Sequence, residues 1–135
     1  MAATVRDGLE MIAQMRPHRD EATEWCFVEV TPDRAPELLG SALATFREDE
    51  GVSAIVPARL ASKDAPRFAR ITLRVHSDLE GVGLTAAVSG ALADAGIACN
   101  MVAALRHDHA FVPAGDAARA LDVLEALQAG ARNRV

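Results

Sequence analysis

The stretch Ile71-Thr72-Leu73-Arg74-Val75-His76-Ser77-Asp78-Leu79-Glu80-Gly81-Val82-Gly83-Leu84 decides how the rest of the chain is read. Its first six residues alternate strictly, so Ile71, Leu73 and Val75 share one face and predict a strand. Ser77 to Gly83 then turns polar and glycine-rich, the composition of a strand-to-helix loop. From Leu84 to Ala95 the residues Leu84, Val88, Ala91, Leu92 and Ala95 recur at helical spacing and form one apolar stripe. Gly96 predicts a helix end that needs positive φ. Ile97 to Leu105 then predicts a strand, His107-Asp108 a turn and His109 to Val112 a return strand. Gly115-Asp116 opens a last helix, with Ala117, Ala120, Leu121, Leu124 and Leu127 facing inward. Ile71 to Leu127 is thus a βαββα unit.

Working backwards, the same order shows through more weakly. Trp25 to Val30 reads as a strand by its aromatic and β-branched content, and Thr31-Pro32-Asp33 breaks it. Asp33 to Gly40 makes at most a short helix, because Pro36 fits only a first turn. Ala42–Arg47 and Val52–Val56 predict two strands, with Glu48-Asp49-Glu50-Gly51 as a solvated hairpin tip. Asp7 to Met15 predicts a helix, stopped by Pro17, that supplies the missing closing helix of this first half. Leu60 to Phe68 is the obvious linker. The expectation is two tandem α+β units of about 65 residues each, at 1–66 and 67–135. Each is of the ferredoxin-like βαββαβ type, with helices on one face of an antiparallel sheet.

Composition narrows the function. Half of the 135 residues are hydrophobic but only 4% are aromatic, so the core is built from Ala, Val, Leu and Ile. A net charge of −5, with no dense lysine or arginine cluster, argues against nucleic acid as a partner. Cys26 and Cys99 lie in apolar runs without metal-knuckle spacing and read as buried free thiols. Arg6, Asp7 and Glu10 interrupt the N-terminal apolar residues, so no secretory signal is expected there. No apolar run has the length of a membrane span. The expectation is a soluble, cytoplasmic protein.

Val82-Gly83-Leu84-Thr85-Ala86-Ala87-Val88-Ser89-Gly90-Ala91-Leu92-Ala93-Asp94-Ala95-Gly96-Ile97 carries a more specific likeness. The small-residue helix, the glycine opening it and the Ala95-Gly96-Ile97 ending resemble the first helix and second-strand entry of an ACT domain. ACT domains are regulatory modules of many amino-acid-metabolism enzymes. His107-Asp108-His109-Ala110-Phe111-Val112-Pro113 resembles a group of small stand-alone bacterial ACT-like proteins, as do Phe46-Arg47-Glu48 and Glu50-Gly51. The resemblance spans roughly residues 24–128 as two tandem units. It implies a regulatory protein without catalysis or cofactor of its own, which binds an amino acid or similar small ligand and pairs as a homodimer. Carried over by position, the ligand contacts are Ser77, Glu80, Gly81, Val82 and Gly83, with Asn100 on the second strand. Val82 stands where the family has a proline, and Ala98 where it has an asparagine. Asn100, two positions further on, keeps the same strand face.

The residues support a ligand cradle on physical grounds too. Gly81 and Gly83 let backbone N–H groups approach a ligand closely, and the helix N-terminus behind them carries partial positive charge suited to a carboxylate. The plain alternative is that these glycines only turn the chain. Asn100 either binds or satisfies a buried neighbour. His76, His107 and His109, with Asp108, offer a rival reading as a small zinc-type metal protein or enzyme. Ser77 beside His76 makes no dyad, since strand neighbours point to opposite faces. Trp25 and Phe27 share a strand face available for self-association. A third reading is an interaction subunit that binds no ligand.

Overall fold

The computed structural model describes residues 4–135; Met1 to Ala3, counted with the first unit from sequence, lie outside the described residues. In chain order the elements are α1 (Gly8–Ala13), β1 (Pro17–Arg19), β2 (Trp25–Glu29), α2 (Ala35–Ser41), β3 (Ala44–Glu48), β4 (Gly51–Pro57), β5 (Phe68–Leu73), α3 (Leu84–Asp94), β6 (Asn100–Ala103), β7 (Asp108–Pro113) and α4 (Ala117–Arg132). By internal contacts the chain divides into two compact units, residues 21–69 and residues 4–20 together with 70–135. No helix among the described residues is long and apolar enough to cross a membrane.

In the 21–69 unit, β4 is the central strand. It pairs antiparallel with β2 (Phe27↔Ile55) and with β3 (Phe46↔Ser53). Strand alternation sends Val28, Ala54 and Val56 to one face, where Leu38 of α2 closes a small core with Val30, Ala42 and Leu60. α2 starts one residue before Pro36, the first-turn position that proline tolerates. Trp25 and Phe27 do not behave alike: Trp25 is buried, whereas Phe27 is half-exposed and meets the Phe68 ring edge-to-face at 5.3 Å.

The other unit is larger. β1 pairs antiparallel with β5 (Pro17↔Leu73), and β6 with β7 (Asn100↔Phe111); β7 lies next to β5. Pro17 therefore does more than stop a helix, because it opens a short edge strand where its missing N–H costs nothing. Ile71, Leu73 and Val75 are buried as the alternation predicts. The strand itself sits three residues earlier, at Phe68–Leu73, since Ala69 continues the buried face backwards. Leu84, Val88 and Leu92 of α3 are buried, and α3 ends in a Schellman motif. There the Ile97 N–H bonds Leu92 O at 2.9 Å and the Gly96 N–H bonds Ala93 O at 2.9 Å. Gly96 takes φ +74°, the left-handed value that favours glycine.

Three sequence expectations are corrected here. The helix α1 does not close the first unit; it packs against α3 and α4. The Gln128 amide and the Arg132 guanidinium both donate to Ala13 O, at 2.9 and 3.1 Å, and so satisfy a carbonyl that the end of α1 leaves open. That contact explains why α4 continues past Leu127 and why a glutamine is buried on it. The turn between the last two strands spans Ala104 to His107, and Asp108 is the first residue of β7, opposite Ala103. Cys26 is buried, but Cys99 is only partly so.

Candidate functional site

The loop from Ser77 to Gly83 is held from both sides. Within it, Asp78 Oδ1 accepts the Glu80 N–H at 2.8 Å and Asp78 O accepts the Gly81 N–H at 2.9 Å. From outside, Val5 runs alongside Ser77 in a parallel bridge: its N–H donates to His76 O at 2.8 Å and its O accepts the Asp78 N–H at 2.9 Å. Arg6 ion-pairs with Asp78 at 3.6 Å and with Glu80 at 3.8 Å. Gly8 then passes so close to the loop that a Cβ on it would stand 2.5 Å from Val82 O. A Cβ on Gly81 would meet Asp78 O and Met11 Cε at 3.0 Å each. The glycines thus allow two stretches of this chain to touch, a role that no local sequence pattern signals.

Behind this strap lies a recess of about 130 Å³, lined by Ser77, Asp78, Gly81, Gly83, Thr85 and Asp108 among others. One wall is the start of α3. Gly83 occupies its N-cap at φ +114°, and no side chain caps the helix, so first-turn N–H groups lack a side-chain acceptor. Asp108 is nine-tenths buried. One of its oxygens accepts the Ser77 hydroxyl at 2.9 Å. Among the described residues no cationic side chain lies within ion-pairing distance of this carboxylate. A cationic group entering the recess would meet this carboxylate beside the Ser77 hydroxyl.

Of the residues carried over by position, the structure brings Ser77, Gly81 and Gly83 to the recess. Glu80 and Val82 belong to the same loop with exposed side chains, Val82 being 81% exposed. Asn100 is exposed on β6, three residues before the lining residue Ala103 and so on the opposite strand face. The sequence reading missed Asp108 as a lining residue by placing it in a turn. A usable signal existed, because Asp108, Ala110 and Val112 fall on one side of a period-two pattern, and all three are buried.

The histidines divide between neighbours. His76 and His107 meet edge-to-face, with ring centroids 5.0 Å apart, while His109 Nδ1 is 2.9 Å from Thr72 Oγ1. Burial lowers the pKa of His107, helped by His76 and Arg106, and burial with Arg70 lowers that of His109. Among the described residues no three His, Cys, Asp or Glu side chains gather in a way that could hold a metal ion.

Two family models, each described as an ACT domain, match residues 6–69 and 68–126. The chain belongs to the ACT-domain family. As an ACT-domain protein it has a solved relative in Vibrio cholerae, a protein of unknown function described as a possible transport protein. That structure is 39% identical with a TM-score of 0.73, over 87% of this chain and 92% of that one. The aspartokinase alpha and beta subunits share the fold, at 13% identity and TM-score 0.58 over 82% of this chain and 95% of that one. So does the regulatory subunit of aspartate kinase from Thermus thermophilus, at 12% identity and TM-score 0.53 over 82% of this chain and 96% of that one. No curated protein matches the chain. In this ACT-domain protein the loop after the first strand of the second matched domain is Ser77–Gly83, the wall of the recess.

Proposed function

We propose that this chain is a regulatory module that binds a small amino acid in the Ser77–Asp108 recess and carries out no reaction of its own. The observation that carries the reading is the pairing of a buried, cation-less Asp108 with an uncapped helix N-terminus across one small space. A zwitterion matches both ends: its ammonium group meets Asp108 and its carboxylate meets the first-turn N–H groups of α3. The recess is small, at about 130 Å³, which favours a short side chain. Ser77 has a carboxylate partner rather than an imidazole, which suits positioning better than nucleophilic attack. The ACT family and the aspartate kinase regulatory subunits of the same fold support a regulatory role.

Regulation follows if the ligand favours one arrangement of the loop over another. The strap from Val5 to Met11 touches the loop at His76, Asp78, Glu80, Gly81 and Val82, so a ligand that tightens the loop also tightens the strap. A second copy of the chain is the partner we favour, because β3 ends its sheet path and leaves Phe46 70% exposed. The test is isothermal calorimetry with glycine, alanine, serine and threonine on the wild type and on Asp108→Asn. Saturable binding of one amino acid, weakened at least tenfold in the variant, is the expected result. Equal affinity in both proteins would remove Asp108 from the site.

A further inference from the structure

On the other side of the same chain segment the sign of the charge reverses. An open cavity of about 480 Å³ is lined by Arg16, Arg74, Arg132 and His76, with Gln14 and with Glu10 as its one carboxylate side chain. Three guanidiniums face the single carboxylate side chain of Glu10, with Val135, the last residue of the sequence, also in the lining, in a chain whose net charge is −5. None of the three arginines forms an ion pair among the described residues. Two of them are fixed in place by their Nε–H groups. Arg74 Nε donates to Arg16 O at 3.0 Å, and Arg132 Nε donates to Ala13 O at 3.1 Å. Each therefore keeps its two terminal nitrogens free of protein partners among the described residues while its direction is set, the state in which a guanidinium fork loses least on binding an anion. Arg16 adds a further sign. Among the described residues it is the non-glycine residue with positive φ, at +42°, so the backbone holds an arginine where glycine would cost less.

We propose that this cavity is a second ligand site, for a small molecule bearing a doubly charged anionic group, either a phosphate or a pair of carboxylates. It is separate from the amino-acid recess yet adjacent to it in the chain. His76 lines this cavity and Ser77 lines the recess, and Val5, which lines the cavity, bonds the backbone of both His76 and Asp78. The two sites therefore meet along the chain at His76 and Ser77.

The experiment uses the full chain, titrated at constant ionic strength with inorganic phosphate and, separately, with succinate, and followed by backbone amide NMR shifts. Saturable binding of either anion, centred on residues 14–16, 74–76 and 132, is expected; the tighter of the two identifies the source of the charge. Arg16→Gly is the decisive variant, because it removes a guanidinium whose side chain bonds no described residue and relieves the positive φ. It should weaken binding tenfold or more while raising the thermal midpoint of the free protein. Arg74→Lys, which keeps the charge but loses the fork, should fall between wild type and Arg16→Gly. Arg47→Ala, in the other unit, should bind as the wild type does. No saturable binding of either anion at 10 mM, which is roughly the weak end of useful small-ligand affinity, overturns the site. So does Arg16→Gly binding like the wild type, or Arg47→Ala losing as much affinity as Arg16→Gly.

Discussion

Replacing Gly8 by alanine puts the contact between the strap and the loop to a test of sign. Gly8 is the first residue of α1, and on helix propensity alone alanine there should stabilise by up to about 1 kcal/mol. The structure predicts the reverse. The new Cβ would stand 2.5 Å from Val82 O, whereas ordinary contact begins at 3.4 Å, so 3.4 − 2.5 leaves 0.9 Å to be found. Both groups are anchored to backbone, and neither can swing aside as a flexible side chain would. Either the Val5–Ser77 bridge opens or the helix start shifts, and overpacking of this kind costs about 1–3 kcal/mol. The net effect should be a loss of about 1 kcal/mol, or roughly 4 °C in thermal midpoint for a chain of this size. Gly90→Ala is the internal control. Gly90 lies inside α3, with nothing within 4 Å of where its Cβ would stand, and should gain up to about 1 kcal/mol. Urea unfolding of the two variants beside the wild type reads both signs. If Gly8→Ala is as stabilising as Gly90→Ala, the strap does not lie on the loop as described.

Stability should also depend on pH through His107 and His109. Folding lowers both pKa values, so the unfolded chain binds more protons between the folded values and about 6.5. Their contribution is therefore complete above about pH 6.5 and declines as the pH falls below it. Urea midpoints from pH 8 to pH 5 should fall, and His107→Gln with His109→Gln should flatten the decline. Burial raises the pKa of both Cys26 and Cys99, so both thiols should react slowly with iodoacetamide at pH 7.5 until the chain unfolds. A fast-reacting Cys26 in the folded protein, seen by mass spectrometry, would contradict its near-complete burial. If two copies pair through β3 as proposed, Phe46→Lys should lower the mass seen by light scattering at micromolar concentration; an unchanged mass would take β3 out of the pairing surface.

Much of the fold was legible because burial obeys simple periods. Ile71, Leu73 and Val75, and likewise Leu84, Val88 and Leu92, announce their elements by spacing alone, and Gly96 announces the end of α3. Long-range partners were not legible. That α1 joins α3 and α4 depends on where Gln128 and Arg132 find Ala13 O, more than a hundred residues away, and no local pattern records such a pairing. For the same reason the sequence offers only a ligand cradle or a simple turn for the glycines of the loop, whereas Gly81 also makes room for Met11 and Gly83 lies against Gly8. In the recess, the family likeness supplied Ser77, Gly81 and Gly83. Asp108 carries the period-two signal of Ala110 and Val112, but a turn at Ala104–His107 is what places it on the buried face of β7.

An amino acid held between Asp108 and the start of α3 would show in the thermal midpoint of the wild type and of Asp108→Asn, measured across a panel of amino acids at millimolar concentration. One small amino acid, at about a hundred times its dissociation constant, should add about 2.7 kcal/mol to the wild type. That corresponds to a rise of roughly 11 °C in midpoint, with little or no rise in the variant. A panel that leaves the wild-type midpoint unmoved, or that moves both proteins equally, would contradict the account.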